Sequence, residues 1–156
     1  MRNSLAASLE REFPDWLKKE KAFTIPGGET YVSSGSSPQI YLVYYRSSSF
    51  DAFFSEIAWS RQGKWPAYPS STAEIDSYDS MPEARFRIEQ FWVAPPYTMQ
   101  AWCLRNPAGL RQLDPVADSR REELVADVDI NLVAKQYCGK IRECIIPIVE
   151  RISRCS

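Results

Sequence analysis

The 156-residue chain contains no histidine, and that absence removes more classes of function than any motif in it adds. Histidine is the side chain whose unperturbed pKa lies nearest neutrality. Ser-His-Asp and Cys-His triads, histidine general bases and histidine-ligated metals are therefore all excluded. Chemistry is left to carboxylate, thiol, amine and phenol groups. Glycine is scarce, with six in the chain, and Gly27-Gly28 stands outside any GxxxxGK[ST] frame, so no phosphate-cradling loop is expected. A Gly-x-Ser-x-Gly elbow is missing too. Excess charge of one sign is also lacking: 19 basic residues against 20 acidic give a net charge of −1. No global positive field is available to neutralise a phosphate backbone, and nucleic-acid binding is not expected.

Long apolar runs are missing as well. Nothing approaches the roughly 18 residues of a membrane span. The N-terminus meets Glu10, Arg11 and Glu12 before the apolar core of a signal peptide can form. A cytoplasmic protein without membrane association is the expectation. The four cysteines, Cys103, Cys138, Cys144 and Cys155, form no CxxC, and the closest pair is six residues apart. A zinc site would need all four as thiolates, so these are read as buried or half-exposed thiols, with no metal and no cofactor. Cys103 as a nucleophile would need a nearby Lys, Arg or helix N-terminus to lower its pKa.

What is present is a pattern for one α+β domain over residues 1–156. A chain of this length buries enough surface to need no covalent staple. Leu5, Leu9, Phe13, Trp16 and Leu17 repeat at helical spacing, which predicts an amphipathic helix over about 4–21, capped by Asn3 or Ser4 and kinked at Pro14. From residue 29 the period falls to two. Strands are predicted over 29–33 and 39–46, joined by a turn at 35–38, then over 52–61 with one wetter face. The Ser- and Pro-rich stretch 62–82 reads as a long surface loop. Residues 84–92 alternate Phe86 and Ile88 against Arg85, Arg87 and Glu89, which predicts a fourth strand, and 99–105 either adds a fifth strand after the Pro95-Pro96 turn or opens a helix. Helical spacing returns with Val133, Tyr137, Ile141, Ile145, Ile148 and Ile152, predicting a helix over about 129–154 that bends at Pro147. The order helix, strands, helix implies a four- to five-stranded antiparallel meander with the N- and C-terminal helices packed on one face.

Two aromatic groups and two acidic runs are the candidate sites. Trp59, Arg61, Lys64, Trp65 and Tyr68 lie in or beside a proline-bearing stretch just past a strand, and aromatic plus Arg is the composition of binding hot spots. Trp92, Tyr97 and Trp102 surround Pro95-Pro96, and together the two groups would line an aromatic cleft. The alternative places the same rings in the core, and exposure discriminates between the two. Glu74, Asp76, Asp79 and Glu83 occupy 74–83 without a Lys or Arg, and 114–129 carries Asp114, Asp118, Glu122, Glu123, Asp127 and Asp129 against Arg120 and Arg121. No EF-hand frame follows Asp127-x-Asp129. Glu74, Asp76, Asp79, Asp118, Glu122 and Glu123 are the candidate acidic surface for a basic partner, the competing role being solvation or capping of a helix N-terminus.

The N-terminal amphipathic helix, the strands Ile40-Tyr41-Leu42-Val43-Tyr44-Tyr45 and Phe53-Phe54-Ser55-Glu56-Ile57-Ala58-Trp59-Ser60, and a last helix containing Ile146-Pro147-Ile148 resemble small bacterial α+β domains of unknown function. Some of those are encoded beside polymorphic toxins and are thought to be immunity proteins. The resemblance implies a protein partner and carries over no catalytic or binding residue. The expectation is a non-enzymatic protein that binds another protein, as an immunity or accessory factor. A small-ligand or peptide-binding module with an aromatic cleft is the alternative, and a carboxylate-dependent hydrolase a third possibility.

Overall fold

The first helix, α1 (Arg2–Glu12), buries Leu5 and Leu9 and stops two residues before Pro14. It is shorter than the periodicity implied and starts at Arg2, ahead of both Asn3 and Ser4. Pro14 has no N–H to return to the carbonyl of Glu10, and the chain turns there, with Leu17 N–H bonding the Pro14 carbonyl at 3.0 Å. Residues that looked like the second half of a kinked helix instead form β1 (Leu17–Glu20), an edge strand antiparallel to β2 (Gly28–Ser33). The helical spacing survives because Phe13, Trp16 and Leu17 still face the core across the turn. The computed structural model describes residues 2–20, 28–33, 38–62, 64–93, 100–121 and 127–154.

Beyond β2 the antiparallel order continues through β3 (Ile40–Arg46) and β4 (Ala52–Ser60). Gly28 is required where β2 begins, since a Cβ there would lie 2.0 Å from the Tyr44 carbonyl oxygen. β4 is the longest strand, and two partners share its far edge. β6 (Gln100–Cys103) pairs with Ala52 and Phe53, while β5 (Glu83–Arg87) pairs with Glu56 through Ser60. A short β7 (Gly109–Gln112) closes the β6 side. Among the described residues the sheet thus has seven strands, more than four or five, because β1 and β7, at four residues each, are too short to show a period of their own.

One face carries Tyr31, Leu42, Tyr44, Phe53, Ile57, Trp59, Phe86 and Trp102, all buried against the helices. The C-terminal helical stretch is α2 (Asp127–Lys140), a π-helical turn (Ile141–Ile145) and α3 (Ile146–Arg154). Its stripe Val133, Tyr137, Ile141, Ile145, Ile148 and Ile152 is buried throughout. The irregularity lies a turn before Pro147, where Ile146 N–H reaches back five residues to the Ile141 carbonyl. Pro147 cannot bond the Glu143 carbonyl, and that carbonyl sits in the widened turn. Tyr137 fixes α2 to the sheet: its hydroxyl lies 2.6 Å from Ser55 Oγ, and its ring packs edge-on to Phe53 and Trp102. α1 docks on α2 through Ser8 Oγ–H to Asn131 Oδ1 at 2.7 Å.

The opposite face is drier than a two-period strand with one wet side implied. Val43, Glu56, Ala58 and Ser60 are all buried. Part of that cover is a second small cluster of Ala52, Ala101, Cys103 and Leu113, flanked by Phe50 and Phe54. The rest is the segment following β4. Within 62–82 a 3₁₀ segment (Thr72–Ser80) opens with a capping box, Ser71 Oγ accepting from Ala73 N–H and Glu74 Oε2 from Ser71 N–H. Among the described residues no helix is long and apolar enough to cross a membrane.

Candidate functional site

Among the described residues the two aromatic groups share no surface. Trp59 is 1% exposed on the helix-facing side, with Nε1–H on the Met81 carbonyl at 3.2 Å. Trp102 is equally buried, stacks on Phe53 with centroids 6.1 Å apart, and donates Nε1–H to Glu89 Oε1 at 2.9 Å. Trp92 is half-buried against the same core, and Tyr97 lies outside the described residues. These rings are core, which is where large aromatic surface gains most from leaving water.

Trp65 is different. It is half-buried on the opposite face of the sheet, edge-on to Tyr41 at 6.2 Å, with the Arg85 guanidinium 5.0 Å above its ring. Arg85, on β5, is itself held by both oxygens of Glu56 at 3.2 Å and donates to the carbonyls of Pro66 and Ala67 at 3.4 Å. The backbone is tied at the far end too: Ser70 N–H bonds the Arg85 carbonyl at 2.8 Å, and Ser70 Oγ accepts from Arg85 N–H at 3.1 Å. The loop is therefore strapped to the sheet on both sides of Tyr68, which stands 84% exposed between the two anchors. Arg61 and Lys64 are exposed on the same segment.

The acidic candidates divide in the same way. Glu74 and Asp76 are exposed on the 3₁₀ segment, while Asp79 is half-buried and paired with Arg151 at 2.7 Å. Asp118 is not a surface residue: it is 0% exposed, and the Arg111 fork holds both its oxygens at 2.7 and 2.5 Å. Burial opposes its charge, but the Arg111 hydrogen bonds, a backbone hydrogen bond and the fields of Arg111 and Arg105 outweigh it. The carboxyl lies below the usual range. Glu122 and Glu123 lie outside the described residues, as do the side chains of Asp127 and Asp129. No group of three or more potential metal ligands occurs among the described residues.

Comparison with protein-family models, with curated proteins and with solved structures finds no match. The assignment of a working surface rests on the geometry alone.

One buried group escaped the sequence pattern. Glu89 alternates in phase with the outward Arg85 and Arg87, but β5 ends at Arg87 and the 3₁₀ turn Ile88–Phe91 rolls Glu89 inward to 4% exposure beside Trp102. Burial pushes its carboxyl up to about 7, against the pull of Arg87 and the Trp102 hydrogen bond. In a chain without histidine it is a carboxyl poised at neutral pH. A hint of the break was Gln90, whose side chain accepts from Arg87 N–H at 3.1 Å as a turn cap.

Burial raises the pKa of each of the three described thiols. Burial pushes Cys103 up to about 11 and Cys138 to about 12, whereas Cys144 is only half-buried. Of these three, alkylation of the native protein with iodoacetamide at pH 8 should label Cys144 first, read by peptide mass mapping. Equal labelling of Cys103 would contradict its burial.

Proposed function

We propose that this protein acts by binding another protein, in an immunity or accessory role within a bacterial cytoplasm, with segment 61–80 as the contact surface. Tyr68 carries the reading: a large aromatic side chain, 84% exposed, on a loop strapped down on both sides by Trp65, Arg85 and Ser70. Such a ring offers contact area while losing little backbone freedom when a partner closes over it. Exposed Glu74 and Asp76 follow on a capped turn and supply local negative charge that steers a basic partner. The aromatic-cleft alternative loses its support with Trp59 and Trp102 in the core, on the face away from Trp65. A carboxylate-dependent hydrolase gains none from Glu89, which is shut in the core.

The test is capture from the source cells at low salt, followed by kinetics on the captured protein. Wild type should associate at a rate that falls steeply with ionic strength, and joint Glu74→Lys and Asp76→Lys substitution should slow association. Tyr68→Ala should speed dissociation, at a cost of about 2 kcal/mol or roughly thirtyfold in Kd. A partner bound equally well by both variants would move the interface elsewhere on the molecule.

A further inference from the structure

The far edge of β4 is divided between two strands, and the division leaves a fork. β6 takes Ala52 and Phe53, β5 takes Glu56 through Ser60, and the two part at Phe54 and Ser55. Glu89 enters this fork from the turn that follows β5. Its Oε1 accepts Trp102 Nε1–H from β6 at 2.9 Å, and its Oε2 stands 3.5 Å from Nε of Arg87 on β5. Both Glu89 Oε2 and Arg87 Nε are buried, and among the described residues neither has a hydrogen-bond partner. The Arg87 guanidinium is engaged elsewhere. Its Nη2 donates to the carbonyl of Gln100, the first residue of β6, and its Cζ lies 4.7 Å over the Phe54 ring.

A guanidinium–carboxylate pair ordinarily closes to about 2.8 Å, so a 3.5 Å gap with both atoms unbonded is the arrangement of a neutral carboxyl. The surroundings favour that state. Glu56 on β4 gives both its oxygens to Arg85, and its field opposes a second negative charge at Glu89. Tyr45 on β3 and Tyr137 on α2, which also sense Glu89, are phenols kept neutral by burial. Residues 94–99, which lead into β6, contain no Asp, Glu, Lys or Arg. Arg87 is the cation whose field acts on Glu89. The neighbouring pair shows how such an arginine grips a carboxylate: Arg85 uses Nε and Nη2 together, one on each oxygen of Glu56. The same fork on Arg87 needs the Nη2 that now holds Gln100. An ionised Glu89 and the Gln100 carbonyl therefore compete for one N–H group.

We propose that Glu89 and Arg87 form a proton-operated latch between β5 and β6. With the carboxyl protonated, Arg87 Nη2 holds the Gln100 carbonyl and ties down the start of β6. With the carboxyl ionised, Arg87 turns its fork onto Glu89 and frees that carbonyl. β6 is four residues long and joins β4 through Ala52 and Phe53, so losing a tie at its first residue loosens it. A buried charge alone would lower stability; the latch adds an exchange of partners by Arg87. It stands independently of the protein-binding reading.

The test is a titration of the native protein between about pH 5 and pH 8.5 at fixed ionic strength, followed in proton–nitrogen spectra by the Trp102 indole and the Arg87 Nε. In wild type both signals should move with one midpoint near 7. Amide exchange in β6, corrected for its intrinsic pH dependence, should quicken about tenfold across that midpoint, the loss of one charge-assisted hydrogen bond. Glu89→Gln should hold both signals and the exchange rate flat. Arg87→Lys keeps the charge without the fork, so the Trp102 signal should still titrate while β6 exchange loses its pH dependence. The Trp59 indole, bonded to the Met81 carbonyl, should stay still throughout. A Trp102 signal that titrates while Arg87 Nε and β6 exchange remain flat overturns the latch, as does the absence of any titration in this range. Movement of the Trp59 signal with the same midpoint overturns it too, by showing a response of the whole core.

Discussion

Replacing Glu89 by glutamine should abolish most of the loss of stability that the wild-type protein shows as pH rises from about 4.5 to 7. The carboxyl is 4% exposed and is raised by burial from 4.5 to about 7. The folded state therefore keeps its proton at a pH where the unfolded chain has released it. For a group raised in this way, the stabilising contribution is fully present below the unfolded value near 4.5 and disappears as pH rises through about 7. The shift corresponds to about 3 kcal/mol across that window. Glutamine is neutral throughout, and its carbonyl can still accept Trp102 Nε1–H, the 2.9 Å bond that holds the side chain inward. It gives up the 3.5 Å approach of Arg87 Nε to Oε2, a partial offset, because Arg87 keeps its hydrogen bond to the Gln100 carbonyl and its place over the Phe54 ring. Urea denaturation of both proteins at pH 4.5, 6 and 8 checks this. The Glu89→Gln protein should be the more stable at pH 8 by about 2 kcal/mol, with a flatter profile. Parallel profiles for the two proteins would mean that Glu89 is ionised in the fold at every pH tested.

The same residue shows where the sequence was legible and where it was not. Long elements with one dominant period were readable. β3 and β4 follow the two-residue period, and the stripe from Val133 to Ile152 marks the C-terminal helical stretch. Short elements were not, because four residues cannot display a period: β1 was absorbed into the helical spacing of its neighbours, and β7 left no trace. Glu89 was misplaced because periodicity assumes that a strand continues, and one 3₁₀ turn reverses the facing of everything after it. The functional candidates split on an equally physical line. Aromatic content serves a core and a contact surface alike, so Trp59 and Tyr68, nine residues apart, have opposite environments, buried and exposed, that composition cannot separate. Acidic content has the same ambiguity, since Asp118 looked like a surface charge and is sealed by an arginine seven residues earlier. What the sequence did not signal was the pairing of buried Asp51 with Arg105, because the two are 54 residues apart in the chain and meet only in the fold.

Asp118→Ala should be the most destabilising charge removal in the molecule, at about 3–5 kcal/mol, because it strands a partner that the fold has desolvated. The carboxylate is 0% exposed, receives two hydrogen bonds from Arg111 and one from Asp114 N–H at 2.7 Å, and its backbone anchors Asp51. Without it the guanidinium of Arg111 has only backbone carbonyls left to bond, those of Pro107, Gln112 and Arg105. Arg111→Met alone should cost a comparable amount by leaving the Asp118 carboxylate unpaired in the interior. The two losses are not independent, so the Asp118→Ala, Arg111→Met double variant should be considerably more stable than their sum implies, and a double-mutant cycle in urea measures the coupling. Acid titration supplies the second reading. Asp118 lies below the ordinary carboxylate pKa, so its contribution is present above about 3.8 and is lost as pH falls through the lowered value, a window that does not overlap that of Glu89. Wild type should lose stability on acidification below about pH 4 more steeply than the double variant does. Additive single losses and an unchanged acid limb would show that Asp118 and Arg111 contribute packing rather than a coupled pair.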